Sequence, residues 1–271
     1  SARVLNDELQ FDNESLITSQ MREAIQYFSA TYGCRVFNAS LGDPRMPYQG
    51  GKVSPWASIL DTLARELDVV IVVSVGNYDF DPGDGNPLDA HLQDYPRYLL
   101  DEPAKIIEPA TGAIVLTVGA LAQSGDVPPG APANDVAFRP VAQVGQPSPF
   151  TRCGPGLGGA IKPELCEFGG NRAYDGRMRM IRNVPELSIV SMNREFVQQL
   201  FSMDCGTSYA APKVAHAAAR LYETFPEASS NLIRALLAIS AQVPEEAQNL
   251  LDPLGADVPL RLCGYGRPDL N

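Results

Sequence analysis

The sequence predicts an α/β fold built around a mainly parallel sheet, and three observations carry that prediction. Two unbroken apolar runs, "DVVIVVSVGN" (68–77) and "GAIVLTVGA" (112–120), suit strands buried on both faces. Amphipathic helical stripes precede the first run and return near the C-terminus. Helix and buried strand therefore alternate, the signature of parallel strands joined by helical crossovers.

Each element follows from its residues. Apolar side chains at 16, 17, 21, 24, 25 and 28 recur at helical spacing and predict a first helix. "RVFNASLG" (35–42) is a short β-like segment that ends at a glycine. A Gly/Pro-rich loop leads into "SPWASILDTLAREL", where Ser54 suits an N-cap and Pro55 the first helical position. Trp56, Ile59, Leu60, Leu63 and Leu67 give that helix its apolar stripe. The two buried strands come next, and "ELSIVSM" (186–192) alternates like a half-buried strand. The Ala-rich run from Thr207 to Phe225 and "SSNLIRALLAISAQV" (229–243) predict two closing helices. Residues 78–105 and 121–150, rich in Pro, Gly and Asp, are expected to be surface insertions or mobile loops. No internal repeat is found.

Composition excludes several function classes. The 271 residues, 45% hydrophobic and 20% charged, suit one large globular domain with a substantial core, or two small ones. A net charge of −11 argues against nucleic acid and anionic membrane surfaces as partners. No apolar run approaches the ~18 residues that a membrane span needs. The five cysteines, at 34, 153, 166, 205 and 263, form no C-x-x-C pair, which argues against zinc. Their odd number and scatter favour a reducing, cytoplasmic compartment. "GPGLGG" (154–159) fits G-x-G-x-x-G, but Pro163 follows and no helix begins there, so a nucleotide-dependent enzyme is disfavoured. Asp79, Asp81, Asp84 and Asp89 depart from the calcium-loop glycine spacing and read as a solvated acidic loop. No cofactor and no metal are expected.

Two positions carry chemistry. Ser208 lies in "DCGTSYAAP" (204–212) at a predicted helix start. Serine there is commonly a simple cap, but a glycine just before it and small residues after it point to close backbone approach and deep burial. The helix N-terminus also offers N–H donors for a developing oxyanion. Asn77 ends the first buried strand, where a rigidly placed amide could donate to the same oxygen; the alternative is an ordinary turn asparagine. Cys205 reads as a small buried filler. Arg172, Arg177, Arg179 and Arg182 form a basic cluster without an assigned role.

With Ser208 and Asn77 in place, the chain resembles the subtilisin-like serine peptidases along its whole length. "VFNASLG" is similar to the family's substrate-binding "INLSLG", and "VVIVVSVGN" to the strand ending in the oxyanion asparagine, "AAGN". "AIVLTVGA" matches "ITVGA", and "PFTRCGPGLGGAIKPEL" matches "FSSxGP…KPDV". "GTSYAAPKVAHAAARL" resembles "GTSMAAPHVAGAAAL" around the nucleophile, and "CGYGRPDL" the closing "GYGxVD". "ARVLNDELQFDNESLITSQMREAIQYF" resembles the strand and helix that follow the histidine motif.

The resemblance implies a three-layer fold and a serine endopeptidase with a polypeptide substrate. Ser208 would be the nucleophile, and the Asn77 side chain with the Ser208 N–H would hold the oxyanion. Substrate would lie along Ser40, Leu41 and Gly42, with Ser74, Val75 and Gly76 on the opposite wall of the main specificity pocket. Gly206 and Thr207 would approach it at the nucleophile. The family's D-T/S-G and H-G-T motifs do not occur, and the sequence has only two histidines, His91 and His216. His216 replaces a family glycine and reads as a packed helix residue. His91 lies in the acidic loop and would need an orienting carboxylate to serve as base.

Residues 1–271 are therefore expected to form a partial peptidase domain, incomplete at the N-terminus. It would be silent alone and would associate with itself or with the missing segment through an open edge at the Ala2–Leu5 strand. Residues 79–103 are expected to rim the cleft, so that their deletion alters selectivity more than stability. The competing reading is a pseudo-peptidase retained as a peptide-binding or interaction module. Retention of both Ser208 and Asn77 weighs against it.

Overall fold

A computed structural model describes residues 14–81, 83, 90–125, 138–178 and 180–270. Four strands form a parallel sheet: β1 (Val36–Ala39), β2 (Val70–Ser74), β3 (Leu116–Leu121) and β5 (Leu165–Phe168), in the order β1-β2-β3-β5. Register pairs Val36 with Val70, Val72 with Leu116, and Val118 with Leu165.

Strand β2 is buried at every position, and its alternation divides the core in two. Val70 and Val72 face a cluster with Ala210, Ala211, Val214 and Ala218 of α4 (Thr207–Thr224) and Ile233 and Leu237 of α5 (Ser230–Ser240). Ile71 and Val73 face the opposite cluster, with Ile17, Met21 and Ile25 of α1 (Glu14–Tyr32) and Trp56, Leu60 and Leu63 of α2 (Pro55–Glu66). The sheet is thus the middle of three layers, as the uninterrupted apolar runs predict. Helix α2 begins as expected: the Ser54 hydroxyl accepts the Ala57 N–H at 3.1 Å, and Pro55 holds the first turn. Strand β3 begins only at Leu116, because the Asp61 carboxylate accepts the N–H groups of Ala113, Ile114 and Val115.

Short antiparallel pairs decorate this frame. Strands β4 (Phe138–Pro140), β6 (Ala173–Asp175) and β7 (Met180–Arg182) form one sheet. Strands β8 (Ile189–Met192) and β9 (Phe201–Asp204) form a hairpin that leads directly into α4. Near the C-terminus, α6 (Glu245–Leu251), α7 (Val258–Cys263) and the pair β10 (Ala241–Gln242) with β11 (Arg267–Pro268) complete the domain. The "KPEL" lysine is structural. Lys162 is 1% exposed, pairs with Glu164 at 2.5 Å and donates to the Val115 carbonyl at 2.9 Å.

The reading of 78–105 as a surface insertion is corrected by burial. After the one-turn α3 (Ala90–Gln93), Tyr98, Leu99, Ala104 and Ile106 are all at most 3% exposed. Tyr98 stacks on Phe80 with centroids 4.1 Å apart, and Leu99 packs with Leu121, Cys153 and Leu262. Irregular backbone can be buried here because 3-10 turns and cross-segment bonds satisfy it, among them Cys153 N–H to the Ala104 carbonyl and Ile106 N–H to the Cys153 carbonyl, both 2.9 Å. Likewise Ala122, Val141, Ala142 and the run 147–150 are buried within 121–150, although 126–137 lies outside the described residues. Deleting residues 95–105 is therefore expected to eliminate the cooperative thermal transition seen by circular dichroism, rather than only to change selectivity. A deletion variant that melts like the parent would refute this. The Ala2–Leu5 segment, Asp84 and Asp89 lie outside the described residues.

Candidate active site

Asn77 lies just past β2, and Ser208 is the second residue of α4. The fold joins Asn77 to the residue before Ser208, 130 positions away: the Thr207 N–H donates to Asn77 Oδ1 at 2.9 Å, and the Thr207 hydroxyl donates to the same oxygen at 3.1 Å. Two donors on Oδ1 fix the amide orientation and leave Nδ2 as the outward donor. A Cβ on Gly206 would sit 3.0 Å from Asn77 Nδ2, so a side chain there would press on the amide.

The start of α4 is open by construction. Its N-cap, Gly206, has no side chain to cap with, and the Ser208 N–H lies in the first turn without an intrahelical acceptor. Pro212 has no N–H to offer the Ser208 carbonyl. The Ser40 hydroxyl lies 3.4 Å from that carbonyl, which sets the end of β1 beside the first turn of α4. Thr207 is fully buried and Ser208 is exposed, so the helix presents the serine while anchoring its neighbour.

Ser40, Leu41 and Gly42 continue past β1, half-buried, and Ser74, Val75 and Gly76 continue β2 beside them. All the expected site residues thus gather at the C-terminal ends of neighbouring parallel strands and the facing end of α4, where open α/β sheets place their ligand sites.

Sequence reasoning missed Arg152. It is 4% exposed, and its Nε donates to the Asn77 carbonyl at 2.8 Å. Its Nη1 donates to the carbonyls of Pro103 and Lys105 at 2.8 and 2.9 Å. It therefore clamps the Asn77 backbone to the segment after α3. The available signal was a departure from pattern, since "FTRCGP" carries arginine where the quoted family motif "FSSxGP" has a second serine.

Neither histidine is brought to Ser208 as a base. His216 is exposed, which corrects its reading as a packed residue: the buried face of α4 is Thr207, Ala210, Ala211, Val214, Ala215, Ala218 and Tyr222, and 216 points away from it. His91 packs edge-on against Phe80, with centroids 5.2 Å apart, in a 440 Å³ pocket with Asp79, Arg172 and Asn183. Burial holds its pKa below the usual histidine value. The carboxylate closest in sequence to Asn77, Asp79, is taken by Arg172 at 2.5 Å. Cys205 is buried, its thiol pushed up by desolvation, and its Sγ donates to Asn183 Oδ1 at 3.2 Å. It is a packed thiol, not a second nucleophile. Residues 157–159 form an exposed 3-10 turn, unlike a phosphate-binding helix start.

Comparison with known proteins bears on the fold and the family. Among solved structures, the prenylagaramide maturation protease PagA superposes with a TM-score of 0.54 at 18% identity, covering 93% of this chain and 65% of that one. The MycP3 protease of the type VII (ESX-3) secretion system gives 0.51 at 21%, covering 98% and 63%. A protease of Pseudoalteromonas arctica PAMC 21717 gives 0.54 at 16%, covering 93% and 56%. At these identities the likeness is one of fold, a subtilisin-like arrangement around a parallel sheet. An uncharacterised protein, y4bN, of Sinorhizobium fredii (strain NBRC 101917 / NGR234) is 44% identical over 255 residues. That alignment covers 93% of this chain and 58% of the relative, so the chain spans under two thirds of the relative's length. Residues 1–266 match the Subtilase family, and the chain belongs to that family.

Proposed function

We propose that the native protein is a serine endopeptidase in which Ser208 is the nucleophile. The observation that carries this reading is the pair of Thr207 bonds to Asn77 Oδ1, which aims the amide Nδ2 toward the turn that bears Ser208. The Ser208 hydroxyl attacks the scissile carbonyl carbon and gives its proton to a histidine oriented by an aspartate, neither assigned among the described residues. Negative charge gathers on the former carbonyl oxygen, where Asn77 Nδ2 and the Ser208 N–H stabilise it. The amine departs with the proton, and water then hydrolyses the acyl-enzyme by the same steps.

Substrate lies extended along Ser40, Leu41 and Gly42, with Ser74, Val75 and Gly76 opposite and Gly206 and Thr207 beneath the reacting carbonyl. The proximity of Ser40 to the Ser208 carbonyl supports this, because it sets the proposed substrate-binding segment beside the proposed nucleophile. The test is labelling of the protein at its native length with a fluorophosphonate. Peptide mapping is expected to find the adduct on Ser208; an adduct elsewhere, or none, would overturn the assignment.

A further inference from the structure

The two walls assigned to the main specificity pocket are already in contact through a third residue. A Cβ built on Gly42 would sit 2.7 Å from Ile107 Cδ1, and one built on Gly76 would sit 2.5 Å from that same carbon. The ethyl arm of Ile107 therefore fills the gap between the glycines, and the residue is only 3% exposed.

The plug is fixed from several directions. Its neighbour Ile106 points into the cluster that holds Val73 and Val75, so Ile107 faces the other way. On one side, the Asp43 N–H donates to the Glu108 carbonyl at 3.1 Å and the Tyr48 N–H to the Ile106 carbonyl at 2.8 Å. On the other, the Ile106 N–H reaches the Cys153 carbonyl and Arg152 holds the Lys105 carbonyl. The Glu108 carboxylate, itself buried, accepts from the Ser54 N–H and the hydroxyls of Ser54 and Thr111. A β-branched side chain on backbone anchored in this way has little freedom to swing aside.

We propose that Ile107 closes this pocket, so that the enzyme cleaves after glycine or alanine and excludes large side chains at the residue preceding the scissile bond. The inference rests on the peptidase reading and adds the substrate class. A methyl group can lie over the isoleucine, whereas a phenyl ring must occupy the space that its ethyl arm fills, and overfilling a packed site is strongly disfavoured.

The experiment compares N-succinyl tetrapeptide p-nitroanilides ending in Gly, Ala, Leu or Phe, using the native-length protein and the variants Ile107→Gly and Ile107→Ala. Thermal melts establish that each variant is folded, the alanine variant serving if the glycine variant is not. The parent is expected to prefer Ala over Phe by roughly 100-fold in kcat/KM, and the variants to gain activity on Phe. A parent that cuts after Phe as well as after Ala overturns the inference and leaves the peptidase reading standing. If no substrate is cut, the peptidase reading fails. Binding of the free tetrapeptide acids to Ser208→Ala then decides the pocket question: tighter binding of the Ala-ended acid supports the plug, and equal or absent binding overturns it.

Discussion

The 271 residues on their own are expected to leave Ser208 unlabelled by a fluorophosphonate and a generic peptide substrate uncut. A serine hydroxyl is a weak nucleophile at its own pKa and needs a positioned base. His216 stands two turns beyond Ser208 along α4, about 12 Å away at ~1.5 Å per residue. His91 is packed against Phe80, and no carboxylate hydrogen-bonds it among the described residues. What then remains is oxyanion and substrate binding, worth about 10³- to 10⁴-fold over water, below the reach of an ordinary peptidase assay. The native-length protein is assayed in parallel for comparison. Rapid labelling of Ser208 in the 271-residue chain would overturn this expectation, and His91→Ala would be the next variant to make.

Asn77→Ala in the active, native-length protein is expected to lower kcat by roughly 100- to 1,000-fold with little change in KM. The magnitude is that of an oxyanion-hole asparagine in subtilisin, a member of this family, and does not derive from this structure. The direction does: Thr207 occupies Oδ1 in the ground state, so Nδ2 is the group set free to meet charge as it develops. Unchanged kcat would make Asn77 a turn residue whose contact with Thr207 is structural. A parallel rise in KM alone would point to substrate binding instead.

How much of this was legible depended on whether the signal was local. Helix α2 declared itself through Ser54, Pro55 and its stripe, and β2 through five consecutive buried apolar or small residues. Ser208 and Asn77 stood out because each lies where an element starts or ends, and a terminus has a sequence signature. The segment 95–107 had none. Its burial comes from Tyr98 stacking on Phe80 and from backbone bonds to the distant Cys153, so its Pro- and Asp-rich text resembled a surface loop. His216 was misjudged because the Ala-rich helix offers few large side chains to mark its buried face. Arg152 and Ile107 act on Asn77, Gly42 and Gly76, residues far away in sequence that only the folded chain brings together.

The junction of Asn77 with Thr207 also has a kinetic side. Its partners are 130 residues apart, and closing a loop of that length costs about 4 kcal/mol of chain entropy by (3/2)RT ln n. Parallel strands joined by crossovers defer such contacts further, because each strand must wait for the helix that returns the chain. This contact therefore belongs to the late part of folding, after α4 has packed on the sheet beside β2. A chain still emerging from the ribosome carries Asn77 long before Thr207 exists. Until the second half docks, the N-terminal turn of α4 has no amide to face, so the contact between Asn77 and Thr207 cannot form during synthesis of the first half.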